Sequence, residues 1–293
     1  MSIRRTTRMI VIATQSLGGI GIGLALCWFL AAHLDLTAAK AATLLTNINW
    51  VAALGVLGTS WLMLETGARK WACLDRRRDH RQPQPHSYYQ GHMAWQSWLA
   101  QILPSIATVI MGRALVTQIA AERDWRRGFK SALIDQLSEL LIILAFIPAS
   151  LWQLWQDIPF SLWLGTGLIT TIVATQVGMK LWPNYALREV ILWSGARVAL
   201  ITLRLVLGAA TFGLPLVAAH IAYATPLATL AVLVPLTPGN LGLAEWSWTY
   251  ALTLWHEDPA TAALYALGFR ALIFLAQTML LPLALRRRSL RAQ

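Results

Sequence analysis

Six stretches of this chain, roughly 9–32, 47–68, 131–151, 160–182, 190–213 and 260–285, are nearly unbroken runs of apolar residues. Each is about 20 residues or more, the length a helix needs to cross the ~30 Å hydrocarbon core of a bilayer. The short alternating segments of a β-barrel are missing. Helices are therefore required, since a helix satisfies its backbone polar groups within one segment. Composition agrees: 57% of the 293 residues are hydrophobic and 13% charged, whereas a soluble domain carries about a quarter charged residues. The expected fold class is an all-α polytopic membrane protein, one integral domain over 1–293 with repeat-like halves near 1–150 and 151–293. The first stretch follows Arg4, Arg5 and Arg8 and opens like a signal peptide. It is too long for one, and is read as a retained first span.

A net charge of +11 would suggest nucleic acid for a soluble protein. In an apolar chain it records topology and contact with anionic headgroups instead, and no nucleic-acid partner is expected. The cations gather at Arg4–Arg8, at Arg69 to Arg81 with Lys70, Arg76, Arg77 and Arg78 between, at Arg123, Arg126, Arg127 and Lys130, at Lys180 and Arg188, and at Arg286 to Arg291. The loops 33–46 and 152–159 and the turn His256-Glu257-Asp258 are poor in cations. Both termini are thus expected on the cytoplasmic side of a cytoplasmic (inner) membrane. Fifteen Trp fit interfacial belts. Cys27 and Cys73, and His80, His86 and His92, show no ligand spacing, and no nucleophile elbow or phosphate loop is present. No metal, cofactor or catalytic residue is expected.

Two further apolar regions, 91–121 and 215–256, are interrupted: the first near Pro104, the second at Pro235, Pro238, Gly239 and Gly242. The charge map requires each to start and end on one side. The first is too short for two crossings and is expected to be re-entrant; the second either re-enters or crosses twice, giving about eight segments if both are counted. Broken segments at corresponding places in two halves point to inverted repeats with a binding site between them.

The sharpest motif is Pro235-Leu236-Thr237-Pro238-Gly239-Asn240-Leu241-Gly242-Leu243-Ala244-Glu245. Two prolines and two glycines in eight residues stop a helix. Helix is expected to resume near Leu241, with its free N–H groups available to an anion. Glu245 is then either a helix-start stabiliser or a site carboxylate. The stretch resembles the Pro-x-x-Pro-Gly-Gly-x-Gly-x-x-Glu signature of the transmembrane flippase-like domain of lysylphosphatidylglycerol synthases and related stand-alone membrane proteins. Asn240 stands where the second Gly falls, and Asn tolerates a left-handed backbone. Gly268-Phe269-Arg270-Ala271 is similar to the family's final-span Arg, and Asp135-Gln136-Leu137-Ser138-Glu139 to its Glu-Arg-x-x-Asp-like stretch, with Gln136 in place of Arg. Pro104 and Arg113 loosely match its early Pro-and-Arg segment.

The resemblance implies movement of a phospholipid, aminoacyl-lipid or polyprenyl-phosphate-linked substrate. It implies as partners a lipid with an anionic or phosphate-bearing headgroup and an enzyme of a lipid- or glycan-modifying pathway. The aminoacyl-transferase domain of the full synthases is not expected here, since little chain follows Arg291.

Charges within spans are costly and face protein or water. Those here are Glu65, Arg113, Asp135, Glu139, Arg197, Arg204, Glu245 and Arg270. Asp135 and Glu139 share a helix face at i, i+4 and read either as interfacial carboxylates bonded to nearby Arg or as site residues. Glu65 and Arg69 read as an interfacial pair. Arg197 and Arg204 share a face seven residues apart. Arg204 and Arg270 lie deep, and Arg binds phosphate through a two-pronged fork. The expected substrate site comprises Pro235, Pro238, Gly239, Asn240, Gly242, Glu245, Arg270, Arg204, Arg113, Asp135 and Glu139. A flippase-like transporter is the first reading. A non-catalytic partner of a lipid- or glycan-modifying pathway is the alternative, and an intramembrane transferase fits least, because the acids are scattered.

Overall fold

The computed structural model describes residues 20–76, 84–103, 105–120, 124–181, 187–232 and 237–289. Residues 9–19 of the first expected span, the cations Arg4, Arg5, Arg8, Arg77, Arg78, Arg81, Arg123 and Arg291, and both Pro104 and Pro235 lie outside them.

The helices are α1 (Ile20–His33) and α2 (Ala38–Thr46), then α3 (Trp50–Arg76), α4 (His86–Leu99), α5 (Ser105–Ala120) and α6 (Trp125–Gln156). There follow α7 (Phe160–Leu181), α8 (Leu187–Thr211), α9 (Ala218–Val232), α10 (Leu243–Thr253) and α11 (Pro259–Ser289). Among the described residues all regular structure is helical. Five helices, α3, α6, α7, α8 and α11, are long and apolar enough to cross a membrane. The chain is an all-α, multi-pass membrane protein.

These five coincide with five of the expected spans; α6 and α11 extend beyond them at both ends, and the others shift by a few residues at one end or run on at the other. The span expected over 47–68 continues as helix to Arg76, because its charged last turns are held by protein. The loop expected over 33–46 is corrected: α2 occupies most of it, bent 98° from α1, and Thr37 caps it by accepting from Lys40 N at 3.3 Å.

The two interrupted regions are pairs of short helices. α4 and α5 have 14 and 16 residues, α9 and α10 have 15 and 11. At 1.5 Å per residue each is about 16–24 Å long, short of the ~30 Å needed to cross. The order long, short, short, long occurs twice: α3-α4-α5-α6 and α8-α9-α10-α11.

The two series are laced together. α3 and α8 run antiparallel along their whole length. Asn49 N donates to Thr211 O at 2.8 Å, Arg197 Nη1 donates to Met63 O at 2.8 Å, and the Cys73 thiol meets Glu189 Oε2 at 2.8 Å. The first short helix of each series packs on the last long helix of the other. Trp98 of α4 donates to Thr278 of α11 at 3.2 Å, and α9 lies against α6, sharing the apolar core of Ile142, Phe146, Ile221 and Ala222. A second core joins Leu64 and Trp71 of α3, Tyr89 and Met93 of α4, and Leu280 and Ala284 of α11.

Candidate functional site

The late break shows why its sequence cannot be helical. Pro238–Asn240 forms a single 3-10 turn, and Gly239, Asn240 and Gly242 all have positive φ, at 58°, 55° and 81°. Asn240 adopts the left-handed backbone that its place in the motif requires. Thr237 Oγ1 closes the turn by donating to Leu241 O at 2.8 Å, and Asn240 N donates to Thr237 O at 3.0 Å. The glycines also admit close neighbours. A Cβ on Gly239 would run into the carbonyl of Gln101 in the early break, and one on Gly242 would stand 2.7 Å from Gly23 O.

Helix α10 starts at Leu243, two residues later than expected, because Gly242 is not helical. Its start is not open to a ligand, which corrects a second expectation. Glu245, at the third helical position, reaches back and accepts from Gly242 N at 2.7 Å. Glu245 is 1% exposed, so its carboxylate takes the place an anion would have held.

Glu245 also pairs with Arg270 of α11 through Arg270 Nε. The same guanidinium braces the turn: Nη2 donates to Gly239 O at 3.0 Å and to Asn240 O at 3.1 Å. Arg270 therefore ties α10, α11 and the break into one unit.

Beside this unit is a cavity of about 260 Å³. Arg204 of α8, Trp248 of α10 and Gln101 of the early break line it together with Arg270 and Glu245. Arg204 differs from every other deep cation. No carboxylate pairs with it among the described residues; its Nε, like those of Arg113 and Arg197, has no hydrogen-bond partner, and it stands 6.0 Å from the Phe269 ring. Two arginines face one carboxylate, so the cavity wall is net positive.

Arg113, Asp135 and Glu139, expected in the same site, form a separate cluster with Lys70 and Arg197. Lys70 Nζ lies 2.5 Å from Asp135 Oδ1 and 3.0 Å from Glu139 Oε1, and donates to Asp135 O at 2.8 Å. Arg113 pairs with Asp135 Oδ2 and stands 4.5 Å from the Trp71 ring. Arg197 Nε lies 2.6 Å from Glu139 Oε1. Lys70 and Arg113 are fully buried. This corrects the placing of Lys70 in the basic loop; Asp135, buried, and Glu139, partly buried, do bond to arginines, as one of the two readings expected, and to Lys70 as well. Glu65 and Arg69 do pair, at 2.7 Å, and the Glu65 carboxylate also meets His86 at 3.0 Å.

The expected site thus divides in two. Gly239, Asn240, Glu245, Arg270 and Arg204 share the cavity, and Gly242 supplies the N–H that Glu245 accepts. Arg113, Asp135 and Glu139 belong to the other cluster. Sequence reasoning missed Gln101, Trp248 and Lys70. Gln101 carried a usable signal, a polar residue beside the first break; Trp248 carried none that separated it from fourteen other Trp.

Comparison with known protein families, curated proteins and solved structures finds no match to this chain.

Proposed function

We propose that this protein moves an anionic, phosphate-bearing lipid headgroup across the cytoplasmic membrane, with both termini on the cytoplasmic side. The observation that carries this reading is Arg204: among the described residues no carboxylate pairs with its guanidinium and its Nε has no hydrogen-bond partner, and it stands at the wall of a cavity between two broken helices. An unpaired charge in a membrane interior is expensive, and such residues mark substrate pathways. Arg offers a phosphate two parallel donors, and Arg270 stands on the same wall. Glu245 neutralises one of the two cations, so a monoanion would balance the cavity. The likeness of the Pro235–Glu245 motif to the lysylphosphatidylglycerol synthase flippase region supports the same reading, as does the clustering of Lys and Arg on one side.

The test is leaflet exchange in liposomes. Purified protein is expected to speed movement of chain-labelled phosphatidic acid but not of a neutral diacylglycerol. Arg204→Gln should slow it at least tenfold, with Arg204→Lys in between. Full activity of Arg204→Gln, or a wild-type rate equal to that of empty liposomes, would sink the proposal.

A further inference from the structure

An apolar cavity lies across α8 from the headgroup site. It has a volume of about 630 Å³ and sits among α6, α7, α8 and α9. Its volume falls in the range of ligand pockets, roughly 300–1,000 Å³. Its walls are apolar but for three threonines. Each of their hydroxyls is already spent on its own helix: Thr171 donates to Gly167 O at 2.8 Å, Thr202 to Val198 O at 3.1 Å and Thr225 to Ile221 O at 2.7 Å. The hydroxyl protons are thus taken, as is the Trp163 indole N–H by Ser150 Oγ at 3.0 Å, so no donor is left for a headgroup, and a buried polar ligand without partners is disfavoured. A hydrocarbon chain suits such a wall.

Position says whose hydrocarbon it is. The groove and the charged cavity share two helices. On α8, Arg204 faces the cavity while Thr202, Leu203 and Val206 face the groove; on α9, Thr229 lines the cavity and Thr225, one turn away, the groove. One helical turn is about 5 Å, so on α9 the two cavities are a single turn apart, a small part of the length of a lipid chain. The rim is open to the bilayer at Leu168 and Leu203, 50% and 48% exposed. Gly195 lies in the wall with nothing within 4 Å of a Cβ placed on it.

We infer that this groove holds a hydrocarbon chain of the same molecule whose phosphate is bound between Arg204 and Arg270. The inference rests on the proposed function and narrows it to an amphiphile bound at head and tail. The shared chemistry is a long chain on a phosphate, whether an acyl chain of a phospholipid or a polyprenyl chain.

The test uses the full-length protein in nanodiscs with phosphatidic acid carrying a photoactivatable diazirine in its chain. Labelled peptides are mapped by mass spectrometry. Label at Leu168, Leu203 and Ala222 is expected to exceed label at the outward residues Ile169 and Ile172 at least fivefold. Gly195→Leu, whose Cβ meets nothing within 4 Å, and Ala199→Trp should each remove that excess and leave Ile172 labelled as before. Unlabelled phosphatidic acid or a long-chain polyprenyl phosphate should compete, the better competitor naming the source, and diacylglycerol should not. Equal competition by diacylglycerol, or groove labelling unchanged in both variants, would mean bulk hydrocarbon only and overturn the inference. If transport depends on Arg204 but groove labelling is unaffected by Gly195→Leu, the proposed function stands and the groove reading falls. If wild-type protein moves no lipid and the groove shows no excess label, both fall.

Discussion

Gly239 donates its backbone N–H to the carbonyl of Leu103 at 3.0 Å, and so ties the break in the second half of the chain to the break in the first. The contact joins residues 136 positions apart in sequence at the point where both short-helix pairs turn. It depends on the absence of a side chain at Gly239.

Gly239→Ala should therefore insert normally but lose the contact between the breaks. A positive-φ position without Gly costs about 1–3 kcal/mol, and the collision with Gln101 O adds to it. We expect a lowered melting temperature and lost leaflet exchange. Gly58→Ala is the control, since a Cβ there meets nothing within 4 Å. Equal activity of the two variants would show that the tip contact is dispensable.

The Glu245–Arg270 pair is open to a double-mutant cycle. Removing one partner strands the other, which for a buried pair costs about 3–5 kcal/mol. Glu245→Gln additionally weakens the cap on Gly242 N. The double variant Glu245→Gln/Arg270→Met should recover part of the stability and none of the transport, because Arg270 also faces the cavity. Thermal melts beside leaflet exchange separate the roles. Recovery of both would mean that the pair only holds the fold.

In the other cluster, three cations share two carboxylates. Asp135→Asn leaves Lys70 and Arg113, both fully buried, with one charge between them and Arg197. The expected loss is again about 3–5 kcal/mol, larger than that of Glu65→Gln at the exposed Arg69 pair, expected at or below about 1 kcal/mol. Denaturant or thermal unfolding in detergent orders the two, and the reverse order would contradict the burial described here.

Asp258 caps α11 ahead of Pro259, accepting from Thr261 N at 2.8 Å and from its hydroxyl at 2.7 Å. These hydrogen bonds hold its carboxyl below the usual range. The folded value is then lower than the unfolded one of about 3.9. Its stabilisation is complete above that value and is lost as pH falls through the folded one. Asp258→Ala should lower stability at neutral pH by about 0.5–1 kcal/mol, the low end for an exposed cap. The gap between wild type and variant should close on acidification. A gap that persists below the folded value would refute the assignment.

The long helices and both breaks were legible because their signals are local. Twenty apolar residues make a span whatever surrounds them, and Pro238, Gly239 and Gly242 forbid helix wherever they stand. Partner choice was not legible. Nothing in the order of residues says that Asp135 takes Lys70 and Arg113 while Glu245 takes Arg270; that follows from which helices adjoin. Lys70 was misplaced for a related reason. It sits one residue from Arg69 in a basic run, but the helical rotation of about 100° between them turns one outward and the other into the bundle. Glu245 was legible as either a cap or a site residue, and the structure makes it serve the helix start and Arg270 together.

Arg197 and Arg204 lie seven residues apart on α8, one in each charged group. That separation is about 10 Å along the helix, near a third of the ~30 Å apolar thickness. On the reading proposed above, a monoanion passing between their levels would traverse about a third of the transmembrane voltage drop. An elementary charge crossing the full drop gains about 2.3 kcal/mol per 100 mV, so this step would be worth about 0.8 kcal/mol, roughly a fourfold change in rate per 100 mV. The polarity of an energised membrane, positive outside, would favour outward passage of the anion, and the spacing of two arginines on one helix would set how steeply that passage responds to voltage.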